Sequence, residues 1–512
     1  LHTAMLDYKS GAYFSMRLAG TLLPLCNRRV YQNGGKCHPI PAVRHASGSS
    51  KLINQMDPNI FREYDIRGIV GPQLTDNTVA RLGLALGTFF RRNAAQRIAI
   101  GYDARSSSPG FCDLIAVGLN QTGCDAVLVG MVPTPVLYHT VFTRDVDGGV
   151  MITGSHNPPD HNGFKVCLGT STLFGSQIQE IKEIAFREEF ASGSGSVASI
   201  EVLTDYCGDI VSRFHLGARR LKAVVDAGNG MGGVTAVPIY RELGIELVEL
   251  YTQPDSTFPN HHPDPTVEEN LTDLIAAVRE HAADIGLAFD GDGDRIGVVD
   301  EHGRVIWGDE LMVLFSREIL TARPGATIIA EVKCSQTLFD DIEARGGKAV
   351  MWKAGHSLIK AKMKETGAAL AGEMSGHIFF ADRFYGFDDA TYAGARILEL
   401  LSKTEKQLSA LLADLPPTFS TPEIRVDCPD DVKFDLVKRV AEEFGKTNEV
   451  ITIDGARIIF EDGWGLVRPS NTQAILVLRF EANSAGELKR IRTVVEARVG
   501  EVLATLEKLP SL

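Results

Sequence analysis

Short apolar runs that end in a polar or charged side chain recur between Arg97 and Phe380, and the same arrangement surrounds each of them. The leading run is Ile98 to Asp103 in a first copy, Ala223 to Asp226 in a second and Ile328 to Lys333 in a third. A helical stretch follows each, then a second run: Ala126 to Val129, Leu247 to Leu250, and Ala349 to Trp352. After a variable insert a third run closes each copy: Gly149 to Ile152, Ile285 to Phe289, and Ala368 to Ala371. Such runs read as buried strands, and strands alternating with helices make a mainly parallel sheet covered by helices. Sheets of this kind take ligands beyond the carboxyl ends of their strands. The residues just past the three closing runs are therefore expected to face a shared cleft.

From about Pro416 the texture changes. Ile451 to Ile453, Ala456 to Phe460 and Ala474 to Glu481 read as short strands joined by Asp454-Gly455 and Asp462-Gly463 turns, and Glu487 to Glu507 reads as a helix. That turn chemistry predicts an antiparallel sheet with helices, an α+β unit. Pro416-Pro417 and Ser420 to Pro422 mark a linker and hinge ahead of it. The first 55 residues differ again, with Lys9, Arg17, Arg28, Arg29, Lys36, Arg44 and Lys51 against the single acid Asp7. Their apolar patch, Leu18 to Leu25, resembles a weak targeting peptide, but Gly20 and Pro24 break it and favour an unstructured extension or residues ahead of a start at Met56. The expected organisation is a disordered extension over 1–55, then three similar mixed or parallel-sheet α/β domains over 56–201, 202–304 and 305–416. An α+β domain over 417–512 completes the ring around a central cleft.

The loops past the closing runs carry the candidate chemistry. The first is Thr153-Gly154-Ser155-His156-Asn157-Pro158-Pro159, with Asn162-Gly163-Phe164-Lys165 after it. A hydroxyl used in covalent catalysis must be exposed, held by a turn and surrounded by donors. Gly154, His156, Asn157 and Lys165 meet those conditions, so Ser155 reads as a phosphoryl carrier. Loops of this composition are more often plain turns; the second loop decides the matter. Asp290, Asp292 and Asp294 alternate with Gly291 and Gly293, which lets the carboxylates converge, and hard oxygen ligands at short range call for Mg2+. An acidic surface turn is the ordinary alternative. A phosphoserine of about -2 and three aspartates of about -3 leave about -3 after one Mg2+. Arg295, Lys165 and Arg67 are the natural counter-charges, although surface ion pairing is the commoner fate of such residues. The third loop is Gly372-Glu373-Met374-Ser375-Gly376-His377. His261-His262, between prolines, reads as a loop pair rather than a metal site.

Composition narrows the partners. The chain has 512 residues, enough for several cores. A formal charge of -13 and a pI near 5.5 argue against a nucleic-acid binder that neutralises phosphates broadly, while local cations still admit an anionic substrate. The eight cysteines show no paired or metal-ligand spacing and read as reduced thiols of a cytoplasmic protein. No apolar run approaches the roughly 18 residues that span a bilayer, so no membrane partner is expected.

Six motifs appear in a fixed order: Phe61 to Gly68, Thr153 to Lys165, Asp290 to Arg295, Lys353 to His356, Gly372 to His377, and Arg468-Pro469-Ser470-Asn471-Thr472. On these the chain resembles the alpha-D-phosphohexomutase superfamily from Phe61 onward, and most its bacterial phosphomannomutase/phosphoglucomutase branch. The resemblance implies reversible interconversion of hexose 1-phosphate and hexose 6-phosphate, of mannose or glucose or both. The serine phosphate passes to a sugar monophosphate, and the resulting hexose 1,6-bisphosphate, also an activator, turns around and returns its other phosphate. Ser155 is then the carrier and, with Asp290, Asp292 and Asp294, a Mg2+ ligand. Arg67, Lys165 and His377 complete the catalytic set. Tyr64, Arg295, Lys333, His356, Glu373, Met374, Ser375, Gly376 and His377 contact substrate, with Glu373 and Ser375 on sugar hydroxyls. Arg468, Pro469, Ser470, Asn471 and Thr472 hold the phosphate that is not reacting. Gln473-Ala474, and a Pro469 inside the loop, depart from the family pattern. Candidates for the base are His377, His356, Lys165 and Lys333. Hexose phosphates are the implied partners of a monomer. The rival activities are a phosphoglucosamine mutase, which tends to carry Gln where Met374 stands, and a sugar-phosphate phosphatase.

Overall fold

The computed structural model describes residues 56–470 and 474–506. The extension expected over 1–55 lies outside the described residues, as do Asn471 and Thr472. The three copies share one topology. Each leading run is a central strand with parallel partners on both sides: Arg97–Tyr102 lies between Asp125–Met131 and Gly148–Ile152. Lys222–Asp226 lies between Glu246–Leu250 and Ile285–Phe289, and Thr327–Glu331 between Lys348–Trp352 and Leu370–Gly372. A central parallel strand is covered on both faces, which is why these runs are unbroken apolar. Ile98, Ala99 and Ile100 are wholly buried, as are Ala223, Val224, Val225, Ile328, Ile329 and Ala330. In the third copy the closing strand starts at Leu370 rather than Ala368. The preceding helix ends at left-handed Gly367, and two residues are needed to enter the sheet.

A fourth strand makes each sheet mixed. The chain turns back antiparallel as His161–Leu168 on Gly148–Ile152, Ile296–Asp300 on Ile285–Phe289, and Ile378–Phe380 on Leu370–Gly372. Each polar loop past a closing run is therefore the tip of a hairpin, at the same place in a repeated fold. Ile66–Ile69 adds to the first sheet beside His161–Leu168, which sets Arg67 opposite Gly163.

The C-terminal sheet is antiparallel, with Ile475–Ala482 at its centre between Gly463–Pro469 and the strands Phe419–Ser420 and Ile424–Asp427. Pro469, expected inside the phosphate loop, instead ends a strand, opposite Leu476. The neighbouring strand stops pairing at Val467, so the missing N–H of Pro469 costs the ladder nothing. This unit has its own core around Leu436, Ile458, Phe480 and Val495, whereas one apolar cluster runs through all three α/β units. The seam between them joins a small apolar cluster of Val332, Trp464 and Leu466 with polar contacts: Arg457 donates to the carbonyls of Val332 and Cys334 at 2.7 and 2.8 Å, and Arg479 to that of Lys333 at 2.8 Å. Among the described residues no helix is long and apolar enough to cross a membrane.

Candidate active site

Ser155 stands at the tip of the first hairpin with a left-handed backbone, φ 48°. The loop is held from beneath by Arg105, whose side chain is 1% exposed. Its guanidinium donates to the carbonyls of Ser155 (2.9 Å), Asn157 (2.6 Å), Pro158 (2.5 Å) and His161 (3.0 Å). It also pairs with Asp103, which accepts from the Gly154 amide at 3.1 Å. A Cβ on Gly154 would lie 2.3 Å from Arg105 Nε, so this position must be glycine.

Ser155 Oγ donates to Asp290 Oδ2 at 3.0 Å and lies 3.1 Å from His156 Nδ1. Asp290, Asp292 and Asp294 are wholly buried at the second hairpin tip, with ligand oxygens within 4.8 Å of one another. The glycine spacing thus does what the sequence suggested. Thr134 Oγ1 and Lys165 Nζ donate to Asp292 Oδ2 at 2.5 and 2.7 Å, and Lys165 Nζ to Asp294 Oδ2 at 2.5 Å. Lys165 arrives on the antiparallel strand, opposite Met151. Asp292 Oδ1 and Asp294 Oδ1 are buried without a hydrogen-bond partner. Burial, and then the charges of Asp292 and Asp294, push the Asp290 carboxyl well above the usual carboxylate range. Unpaired buried oxygens and mutual repulsion are both relieved by a hard divalent cation, so this donor set fits Mg2+. Asp292→Asn is expected to weaken Mg2+ affinity and turnover by at least ~10- to 100-fold, with excess Mg2+ restoring turnover only in part. A Mg2+ titration of activity, with calorimetry of binding, checks this; unchanged affinity and rate would remove the cluster from the mechanism.

The third tip faces the same space. Glu373 accepts from the Gly355 amide at 2.5 Å and from Ser375 Oγ at 3.2 Å. Gly376, at φ 91°, leaves no room for a Cβ, which would sit 2.2 Å from the Ile296 carbonyl oxygen. His377 accepts from Arg295 Nε at 2.8 Å, which joins the second tip to the third. His356 begins a helix, its ring edge-on to Tyr64 and stacked on His377. From the C-terminal unit, Arg468 donates to Asp454 Oδ2 at 2.6 Å and keeps one buried guanidinium nitrogen without a partner. The Ser470 amide returns to the Ile475 carbonyl at 3.0 Å, which closes the strand pair. Lys333 Nζ lies 3.1 Å from Glu423 Oε2, an acid on the segment entering that unit.

One cavity of about 670 Å³ collects these groups. Tyr64, Arg67, Ser155, Lys165, Arg295, Lys333, His356, Glu373, Met374, Ser375, His377, Arg468 and Ser470 line it. The three aspartates stand behind Ser155, while Gly376 and Pro469 shape backbone. His262 bonds the His156 carbonyl and His261 lies 3.1 Å from Asp226, so that pair braces loops. Sequence reasoning missed Arg105, Thr134, Asp388, Glu423 and Asp454. It also left unused the acids that end the leading strands. Asp103 accepts from Gly154, Asp226 from the Gly228 amide, and Glu331 from the Lys333 amide, so each polar strand end fastens a nearby loop.

Three hairpin tips and a separate cationic strand end converging on one cleft define the architecture of the alpha-D-phosphohexomutases. The chain belongs to the phosphoglucomutase/phosphomannomutase family. Residues 58–192, 204–303 and 307–419 match its alpha/beta/alpha domains I, II and III, and 423–498 its C-terminal domain. It is 46% identical over 450 residues to a phosphomannomutase/phosphoglucomutase of Pseudomonas aeruginosa, covering 88% of this chain and 97% of that protein. It is 46% identical over 444 residues to a phosphoglucomutase of Neisseria meningitidis, covering 86% and 96%. A crystal structure of a phosphoglucomutase/phosphomannomutase family protein from Burkholderia thailandensis superposes with a TM-score of 0.83 at 44% identity, covering 88% of this chain and 98% of that one.

Proposed function

We propose that the protein interconverts the 1- and 6-phosphates of glucose and mannose through a phosphoserine at Ser155 and a bound hexose 1,6-bisphosphate. The observation that carries this reading is a single cavity bearing two phosphate-suited groups from different units. One is a serine backed by buried carboxylates; the other is Arg468, with a buried nitrogen left unpaired. Glu373 and Ser375 orient sugar hydroxyls between them, since a carboxylate fixed by a backbone amide is a strong directional acceptor. Arg67, Lys165 and Arg295 counter phosphate charge. When Mg2+ is bound among Ser155, Asp290, Asp292 and Asp294, Lewis-acid polarisation of the phosphoryl group is the chemistry supplied there.

The charge pattern also separates the candidate bases. Burial opposes the Lys165 ammonium, but Asp292, Asp294, Asp388 and Asp290 outweigh it and raise its pKa; Glu331 and Glu423 do the same for Lys333. Lys333, whose carboxylate partners are not metal ligands, stays cationic and serves as charge; Lys165, bonded to two of the metal-ligating aspartates, is placed as a counter-charge to them. Burial and Lys360 keep His356 neutral, with its Nδ1 3.2 Å from Lys360 Nζ. His377, whose Nε2 accepts a hydrogen bond and whose ring lines the cavity, is the group suited to take the hydroxyl proton.

All four loops come from one chain, which supports a monomer; a cytoplasmic setting fits free buried thiols such as Cys112, Cys167 and Cys334. Freshly purified protein is expected to carry one phosphate by intact mass and to convert glucose 1-phosphate and mannose 1-phosphate to the 6-phosphates with a trace of glucose 1,6-bisphosphate. Release of inorganic phosphate equal to substrate loss would replace this reading with a phosphatase. Preference for glucosamine phosphate would replace it with the amino-sugar mutase.

A further inference from the structure

We propose that Asp388, anchored by Lys360, is a positioning residue that fixes His377 in the tautomer with its proton on Nδ1 and its lone pair on Nε2. The proposal rests on the mutase reading above and names the support that the base requires. Asp388 is wholly buried on the segment between the strand Ile378–Phe380 and the helix Ala390–Ser402. A guanidinium has donors only. Arg295 Nε, 2.8 Å from His377 Nε2, therefore makes that nitrogen an acceptor. In a neutral ring the proton then sits on Nδ1.

Nδ1 lies 3.0 Å from Asp388 Oδ2 and 3.6 Å from Asp294 Oδ1. All three atoms are buried and none makes a hydrogen bond in the structure; Nδ1 and Asp388 Oδ2 meet at ion-pair distance, close enough for a bond once Nδ1 carries the proton. Asp388 is the nearer acceptor, and Asp294 is already engaged by Lys165 through its other oxygen. Lys360 Nζ donates to Asp388 Oδ1 at 2.9 Å. Burial pushes the Asp388 carboxyl up, but Lys360 first, and then His377 and His356, hold it well below the usual range. An ionised carboxylate only accepts, so it calls for a proton on the nitrogen facing it. The ring plane is fixed as well, because His356 stacks on His377 at 5.7 Å and 20°. The same three side chains have the spacing of a cation site. Lys360 already balances the charge of Asp388, however, and Asp294 belongs with Asp290 and Asp292, so a proton on Nδ1 is the simpler occupant of the gap between Nδ1 and Oδ2.

In the forward step the sugar hydroxyl attacks the phosphoserine. Its O–H electron pair becomes the new O–P bond, the P–Oγ pair remains on Ser155, and the proton moves to the lone pair of His377 Nε2, which Arg295 Nε–H gives up as the hydroxyl takes its place. The imidazolium so formed donates Nδ1–H to Asp388, and the return transfer runs these moves in reverse.

The test is Asp388→Asn in the full chain. An amide can present its own N–H to Nδ1 while Arg295 Nε–H still faces Nε2; a neutral ring cannot accept at both nitrogens, so the lone pair on Nε2 is no longer secured for the substrate proton. The expected loss in kcat is ~10²- to 10⁴-fold, with KM for glucose 1-phosphate changed by no more than roughly threefold. 15N NMR of histidine-labelled protein should show the Nδ1–H tautomer for His377 in the wild type and loss of that single tautomer in the variant, where Arg295 and the amide make opposite demands on the ring. Asp388→Glu, which keeps the acceptor, should restore the wild-type tautomer and part of kcat. Wild-type kcat in Asp388→Asn overturns the proposal. So does a wild-type His377 protonated on Nε2, a result that needs no variant to fold. Lack of mutase turnover in the wild type would instead remove the reaction reading, and the nitrogen signals would still decide what Asp388 does.

Discussion

Ser155→Ala is expected to lower mutase turnover by at least ~10³-fold while leaving the fold intact, because the hydroxyl is the only atom removed and the covalent route depends on it. The side chain is nearly buried, yet it makes just two polar contacts, to Asp290 and His156. Its loss removes no support from the loop, since Arg105 holds the backbone carbonyl of residue 155 and not its side chain. Alanine accepts the left-handed φ about as well as serine does, so the strain at this tip is unchanged. Asp290, already pushed toward its neutral form by burial and its neighbours, is freed from one donor and loses little. The variant should therefore melt within about 2 °C of the wild type, the shift of well under 1 kcal/mol in a chain this size. Intact mass should show no phosphate. A variant that still carried phosphate, or turned over at the wild-type rate, would move the carrier to another residue.

The features legible in the sequence were those that a short window can hold. Central strands announce themselves as unbroken apolar runs because both of their faces are covered, and Ile98 to Ile100 is buried without exception. The glycine spacing of Asp290, Asp292 and Asp294 carries its own geometry. The returning strands were harder to see: one begins with the polar pair His161-Asn162, and another, Ile378–Phe380, is three residues long. Their existence depends on the partner strand, not on their own pattern. The same holds for the side chains that support the site. Thr134 meets Asp292 across 158 positions, and Lys333 meets Glu423 across 90. Local residues show which groups are able to do chemistry; which groups hold them is a property of the folded sheet. Pro469 illustrates the converse. It reads as a loop breaker, and the fold tolerates it in a strand because no neighbour asks for its N–H at that point.

Arg105→Met is expected to do what Ser155→Ala does not: it should unfasten the serine loop and lower kcat together with stability. The guanidinium meets four carbonyls and one carboxylate, all within the first α/β unit. Methionine fills part of the volume and meets none of them. Asp103, 3% exposed, would keep a buried charge without its partner, a change that costs ~3–5 kcal/mol when a buried pair is broken on one side. The loop's lost anchors compound this, because the left-handed turn at residue 155 persists only while its surroundings impose it. A displacement of the carrier oxygen by about 1 Å is enough to cost ~10²-fold in rate. Lysine at 105 has three donors against the five of arginine and should recover only part of the loss. Thermal unfolding, limited proteolysis across residues 154–161 and kcat for glucose 1-phosphate together read the effect. Equal kcat and melting temperature in Arg105→Met would mean that the hairpin holds its own tip. In that case the repeated pairing of the closing strand with the strand that returns, and not the arginine beneath it, is what presents Ser155 to the substrate.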